Sequence, residues 1–589
     1  MSRPLEHYAM IGDGETAALV NRDGGVDWLC WPRFDSDACF AALLGKPEHG
    51  TWSFVPVQPL VRRERRYQPD TLVLETDLHT ASGAVRLIDF MPRRDGPSTL
   101  VRIVVGLHGT VPLQMELVLR FGYGLVAPWI ERNAGGLLAR IGSDLVCLHA
   151  PVALAIRDER AHAEVAVGEG DRLAFVLRHT HADQPSPGRI DAEAALVATQ
   201  RFWRDWIGRF DDRRTRWPGA VRRSLITLKA LVHQPSGGLV AAPTTSLPEA
   251  PGGTLNWDYR YCWLRDASFA TTCLVNAGFL DEATRWRDWA LRALGGDPAA
   301  MQIMYRVDGG RQINEYEIPI LPGWRYARPV RSGNAAVGQH QLDVYGELLY
   351  ALELGQQAGI AATPEQERVC RRTAEHLEEV WDSGGSSVWE SRGEQRRYTY
   401  SKAMACVALD RFVQRRGAAE AAPVARLARL RDTIRAAVLE EGWNEGLGHF
   451  TQYFGGQQVD ASLLLLPLVG FLPAADPRMA ATIDAVGRKL GEGGLIRRTE
   501  RKTDGPSEGA FLACSCWMAD CLDLLGRHDE AVAQFERLLA VGNDVGLFSE
   551  EYDVPGRHLS GNFPQALTHL SVVNTALGLC GPVLARGGG

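Results

Sequence analysis

Apolar residues recur with a period of two along roughly the first 200 positions, and with a period near 3.6 beyond them. Val111, Leu113, Met115, Leu117 and Leu119 alternate with mostly polar neighbours, the pattern of a strand with one buried face. Leu173, Phe175 and Leu177 repeat it. Thr71 to Thr80 and Ala84 to Phe90 flank Ala81-Ser82-Gly83, a predicted hairpin turn. Short strands punctuated by Gly and Pro predict an antiparallel β-sandwich over residues 1–190. Leu196, Phe202, Trp203, Trp206, Ile207 and Phe210 then share a helix face, which makes 191–217 a linker helix region. Over 218–589 helical spacing dominates, as in Val221, Leu225, Leu228 and Val232, or Leu427, Leu430, Ile434 and Val438. Helices are predicted to begin near 218, 266, 282, 340, 364, 401, 424, 460, 479, 508, 528 and 564.

The loops between these helices are not alike. Those dense in aromatic, acidic and glycine residues precede every second helix: Trp257 to Asp266, Trp324 to Asn334, Trp389-Glu390, Tyr453 to Asp460, Thr503 to Glu508, and Ser549 to Asp553. The others are plain, such as Arg527-His528-Asp529. Helical hairpins stacked into a ring put alternate loops on one rim. The spacing therefore predicts a multi-domain α+β chain, a β-sandwich followed by an (α/α)6 helical toroid with one polar, aromatic-lined mouth.

At 589 residues the chain is too long for one core. Its net charge of −7 is spread out, which gives no surface for nucleic acid. No apolar run reaches membrane length, and the opening Met1 to His7 has no apolar signal segment. Eleven scattered cysteines read as reduced thiols, so a cytoplasmic protein is expected, with a homo-oligomer left open. Gly12 to Asp35 is rich in Gly, Asp and Trp; a structural turn cluster is expected there, or else a loop reaching a neighbouring site.

Candidate chemistry concentrates in Leu255 to Asp266, which holds four aromatics, two arginines and two acids. A pocket for a polar ring needs flat faces and charged groups together; an Arg-Asp pair stapling a loop to a helix start would look the same. Glu390 follows an indole and Glu550 leads an acidic cluster. Glycoside hydrolysis needs such a pair, one carboxyl to protonate the leaving oxygen and one to activate water or attack. Burial beside an indole suits an acid. Taken singly, each Glu is more often a solvated loop acid, and it is their placement on the predicted common rim that raises them. No glycine loop for phosphate, metal-ligand spacing or nucleophile elbow is present, so no cofactor and no metal is expected.

Asn256 to Asp266, Gly333-Asn334, Trp389-Glu390, Asp460-Ala461-Ser462 and Ser549 to Asp553 together resemble glycoside hydrolase family 15, and Gly12 to Leu44 is similar to the N-terminal region of its bacterial trehalase-like branch. The resemblance implies an exo-acting, inverting α-glucosidase that releases β-D-glucose from a small carbohydrate. Trehalose is the expected substrate, with a glucoamylase-type or isomaltose-type glucosidase as the alternative. It implies Glu390 as acid and Glu550 as base, with Tyr259, Trp263, Arg265, Asp266, Trp389 and Trp324 around the terminal glucose. Arg498 is the implied sugar-binding arginine, with Arg497 and Arg501 competing. Ser391 stands where fungal members carry a second acid, which leaves subsite preference open. A disaccharide phosphorylase and a non-catalytic sugar-binding toroid are the rival classes; strict phosphate dependence would mark the first, and indifference to loss of Glu550 the second.

Overall fold

A computed structural model of the chain describes residues 2–133, 135–416, 421–500 and 507–583. The first part is antiparallel β-structure of fifteen strands folded over on itself. The hinge is Ser98–Val118. Its first half pairs with Gly83–Phe90 and Arg172–His181, its second with Thr51–Pro56 and Arg160–Gly168. At its bend Gly106 is required, because a Cβ there would lie 1.8 Å from the Gly168 carbonyl oxygen. Phe54 of one half meets Phe175 of the other edge-on at 4.8 Å. The fully buried Arg102 guanidinium lies over Trp52 and Phe54 and is neutralised by Asp89, as a core charge must be. The turn at Ala81-Ser82 joins Leu74–Thr80 to Gly83–Phe90, as its residues predict.

Thirteen helices follow among the described residues: α1 (Ala192–Ile207), α2 (Pro218–Leu231), α3 (Leu264–Ala277), α4 (Leu280–Leu294), α5 (Asp343–Gln357), α6 (Pro364–Val380), α7 (Thr399–Gln414), α8 (Ala421–Glu441), α9 (Leu465–Leu468), α10 (Pro477–Leu490), α11 (Leu512–Leu524), α12 (His528–Leu539) and α13 (Ala566–Gly578). Ala192 and Leu196 of α1 pack on the sheet, while Trp206 stacks on Phe279 at 4.4 Å. From α2 onward odd-numbered helices form an inner ring, each packed on the next and α13 closing on α3, with even-numbered helices outside. Side chains explain the sorting. Every residue of α11 from Leu512 to Leu522 is buried, so it cannot face water on any side. The outer α6 buries Val369, Cys370, Thr373, Ala374 and Leu377 on one face only.

Two starts differ from the sequence expectation. Residues 461–464 form a 3₁₀ turn ahead of the single-turn α9. The helix expected near 508 begins at Leu512, because Ala510–Phe511 is spent as a strand against Glu551–Asp553. Pairing with a distant segment has overridden local helical spacing there.

The β-part grips the rim loops. Trp28 Nε1 donates to the Pro243 carbonyl at 2.8 Å, and Arg65 bonds Asp544. Glu6 Oε1 accepts the Leu559 N–H at 2.6 Å. The glycine- and tryptophan-rich opening is strand and turn, and none of it lines the cavity described next.

Candidate active site

All six loops that lead into inner helices open onto one cavity of about 640 Å³. They contribute Tyr259 and Arg265 before and at the start of α3, Asn334 before α5, and Trp389 and Glu390 before α7. Gln452 and Gln458 come from before α9, Arg498 and Phe511 from before α11, and Glu550 and Gln565 from before α13. Glu390 and Glu550, 160 positions apart in sequence, therefore share a wall only because the ring closes.

Glu390 sits at φ 55°, a left-handed conformation that costs a non-glycine residue roughly 1 kcal/mol or more. The surrounding bonds hold it there. Its N–H donates to Ser387 O at 2.9 Å, and its carbonyl accepts from Gln339 Nε2 at 3.0 Å. Its Oε1 accepts from Trp263 Nε1 and from Arg265 Nη1, each at 2.9 Å. Oε2 has no hydrogen-bond partner among the described residues and is left for a proton or a ligand. Burial pushes this carboxyl above the usual range, against the pull of Arg265.

Glu550 is nearly solvent-free at 1 % exposure. Its Oε1 accepts from the Tyr259 hydroxyl at 2.6 Å, and its buried Oε2 has no hydrogen-bond partner among the described residues. Burial pushes it up to about 7, with Arg498 and the Tyr259 hydroxyl pulling the other way. Gly561 makes the room: a Cβ at that position would lie 2.5 Å from Oε2. In each acid one oxygen is held by protein donors and the other has no hydrogen-bond partner among the described residues, that of Glu550 being buried.

Of the other expected residues, Tyr259, Arg265, Trp389 and Arg498 line the cavity. Trp389 Nε1 donates to both oxygens of Asp460, at 2.9 and 3.0 Å, and its ring stacks on Trp517. Trp263 and Asp266 stand one step back: the first bonds Glu390, and the second fixes Arg265 through Nε at 2.9 Å. Trp324 is not brought to the cavity. It is buried where the β-part meets the helices, with Nε1 donated to the Arg3 carbonyl at 2.8 Å. Arg497 turns to the Lys489 carbonyl and Glu492, and Arg501 lies outside the described residues. One Arg-Asp pair of the Leu255 to Asp266 stretch ties this loop to the β-part. Asp258 and Arg260 are fully buried, and Arg260 reaches Ser36 O and the Tyr123 hydroxyl, both at 2.6 Å.

Arg498 centres a group that sequence reasoning missed. Its Nη2 bonds Glu249, bonds Glu508 at 2.8 Å and lies 3.5 Å from Glu551. Oxygens of these three acids lie within 4.8 Å of one another, the one such group among the described residues that could hold a metal ion, and the guanidinium supplies the positive charge. Glu249 and Glu551 are lifted well above the usual carboxyl range, chiefly by burial. Glu249 lies in an irregular run with no periodicity. Its one sequence signal is an acid within the polar segment Thr244 to Glu249, just ahead of the aromatic stretch.

The family model described as glycosyl hydrolases family 15 matches residues 218–577, and one described as trehalase-like, N-terminal matches 1–203. A protein named trehalase from Mycobacterium tuberculosis is 35% identical over 98% of this chain and 89% of its own length. One of the same name from Thermoplasma volcanium is 31% identical over 97% of this chain and 93% of its own. The crystal structure of a bacterial glucoamylase complexed with acarbose superposes with a TM-score of 0.76, at 12% identity, over 99% of this chain and 95% of that one.

Proposed function

We propose, from the premise that the chain belongs to glycosyl hydrolases family 15, that it hydrolyses α,α-trehalose with inversion. It is a glycoside hydrolase. The observation that carries the choice of substrate is the likeness to proteins named trehalase over both parts of the chain, the β-part included. Ten buried cysteines with no disulfide among the described residues support the cytoplasm as its place of work.

In this reading Glu390 is the acid and Glu550 the base. The open Oε2 of Glu390 gives its proton to the bridging oxygen as the bond from that oxygen to the anomeric carbon breaks. The unpartnered Oε2 of Glu550 takes a proton from a water that attacks the same carbon from the opposite face. One water is consumed, and the attacked ring leaves as β-glucose while the departing ring keeps its α configuration. Tyr259 and Arg498 favour the ionised form of Glu550. Arg265, pinned by Asp266 and the Val388 carbonyl, fixes the aim of Glu390 and borders the sugar. The bands of Trp389 and Tyr259 supply apolar faces for the ring.

The test is NMR of fresh product from trehalose, with maltose, isomaltose and maltotriose assayed in parallel for glucose release. Equal α- and β-glucose, from trehalose in preference to the others, is expected. Only α-glucose would mean retention, and preference for maltotriose would remove trehalose as the substrate.

A further inference from the structure

The cavity has a deep end and a more exposed mouth, and one wall of the mouth carries a clamp that the acid and base do not use. At the deep end Arg265 and Glu390 each expose 13 % of their side chains. Two residues beyond the acid, Arg392 exposes 40 % and still lines the cavity, within the exposed run 391–395. Glu390 protonates the leaving oxygen in the reading above, so the leaving sugar departs past this segment. Aromatic faces are what sugar rings rest on, and the mouth has one in Trp257. That ring is already covered. The Arg392 guanidinium carbon lies 4.2 Å from its centroid, and that of Arg331 lies at 4.6 Å.

The two arginines differ in how they are held. Arg331 is built into the wall, donating from Nη1 to the Asn256 and Thr254 carbonyls at 2.9 and 3.1 Å. Arg392 hangs from an exposed loop and is held over the indole by a single acid. Its Nη1 reaches Glu315 Oε1 at 3.1 Å, and its Nη2 bonds Oε2 of the same carboxylate. Glu315 is anchored in turn by the Ala335 N–H at 2.9 Å and by Arg331 at 3.5 Å. Burial would lift its carboxyl, but the Arg392 and Ala335 bonds outweigh this and hold it below the usual range. It is therefore a carboxylate, and the clamp is a charged, bidentate one.

We propose that Arg392, clamped over Trp257 by Glu315, limits the leaving group to one sugar by covering the indole on which a further ring of a longer substrate would rest. This rests on the reading of the chain as a trehalose hydrolase with Glu390 as its acid. Trehalose, whose leaving group is a single glucose, does not need the covered face. An oligosaccharide does.

The experiment measures kcat/KM for trehalose, maltotriose and maltotetraose with the full-length protein and with Arg392→Ala and Glu315→Gln. Arg392 is exposed, so its loss leaves the core intact. Glu315→Gln keeps Arg392 but loosens its hold. The ratio of maltotriose or maltotetraose to trehalose is expected to rise in both variants by about tenfold, the scale of one added subsite contact. An unchanged ratio, or an equal fall on all three sugars, overturns the proposal. Absence of trehalose hydrolysis by the unmodified protein would instead overturn the function on which it rests.

Discussion

Glu550→Gln separates the catalytic and the structural consequences of one buried carboxyl. In the folded chain this group is pushed up to about 7, against an ordinary value of 4.5, chiefly by burial. A raised folded value means that the folded state holds the proton more tightly than the unfolded state. The stability this confers is fully present below pH 4.5 and is lost as pH rises toward 7. At about 1.4 kcal/mol per unit the loss is about 3 kcal/mol. Glutamine keeps the shape and cannot ionise, so the variant avoids that loss. For 589 residues unfolding together, at about 2 cal/mol/K per residue, this corresponds to about 2–3 °C in Tm. The assay is a pair of thermal scans at one fixed rate, at pH 5 and pH 8, beside glucose release from trehalose. The difference in Tm between variant and parent should be about 2–3 °C more favourable to the variant at pH 8 than at pH 5. Turnover should fall by roughly 10²–10⁴-fold, the worth of a general base. Glu249 and Glu551 titrate in both proteins, so their main contribution cancels in the comparison. A Tm difference independent of pH would refute the raised proton affinity of Glu550, and retained turnover would refute its role.

Tyr259→Phe removes the 2.6 Å hydrogen bond to Glu550 Oε1, a bond to a charged group worth about 1.5–3 kcal/mol. The acid limb of kcat/KM against pH, expected near pH 7 in the parent, should then move up by about 1–2 units, costing far more activity at pH 6 than at pH 8. Gly561→Ala places a methyl group 2.5 Å from Glu550 Oε2 on a backbone at φ 74°, so kcat should fall at least tenfold by the displacement of that carboxylate. Full activity in the alanine variant would mean that the position of Oε2 is immaterial.

The helices were legible in the sequence through apolar residues at helical spacing, as in α2 and α8, and the rich loops stood out against the plain ones before the outer helices. Glu390 and Glu550 were singled out by their neighbours in sequence, Trp389 before the one and Glu551-Tyr552-Asp553 after the other, within the long connections 381–398 and 540–565. The bend of the β-part was not, since it depends on Gly106 meeting Gly168 across two strands. Trp324 shows a limit of another kind. A tryptophan in an aromatic loop reads the same whether it faces a sugar or the first residues of the chain, and only packing against Arg3 decides. Glu249 had no periodic surroundings to mark it, and its importance comes from Arg498, almost 250 positions later. Local pattern determined which segments are helix, strand and rim, because periodicity and composition are properties of neighbours in sequence. Tertiary structure alone decided which carboxylates share a guanidinium, which are stripped of water and which indole is covered. Charge and burial act through space, and the sequence does not state those distances until the ring has closed.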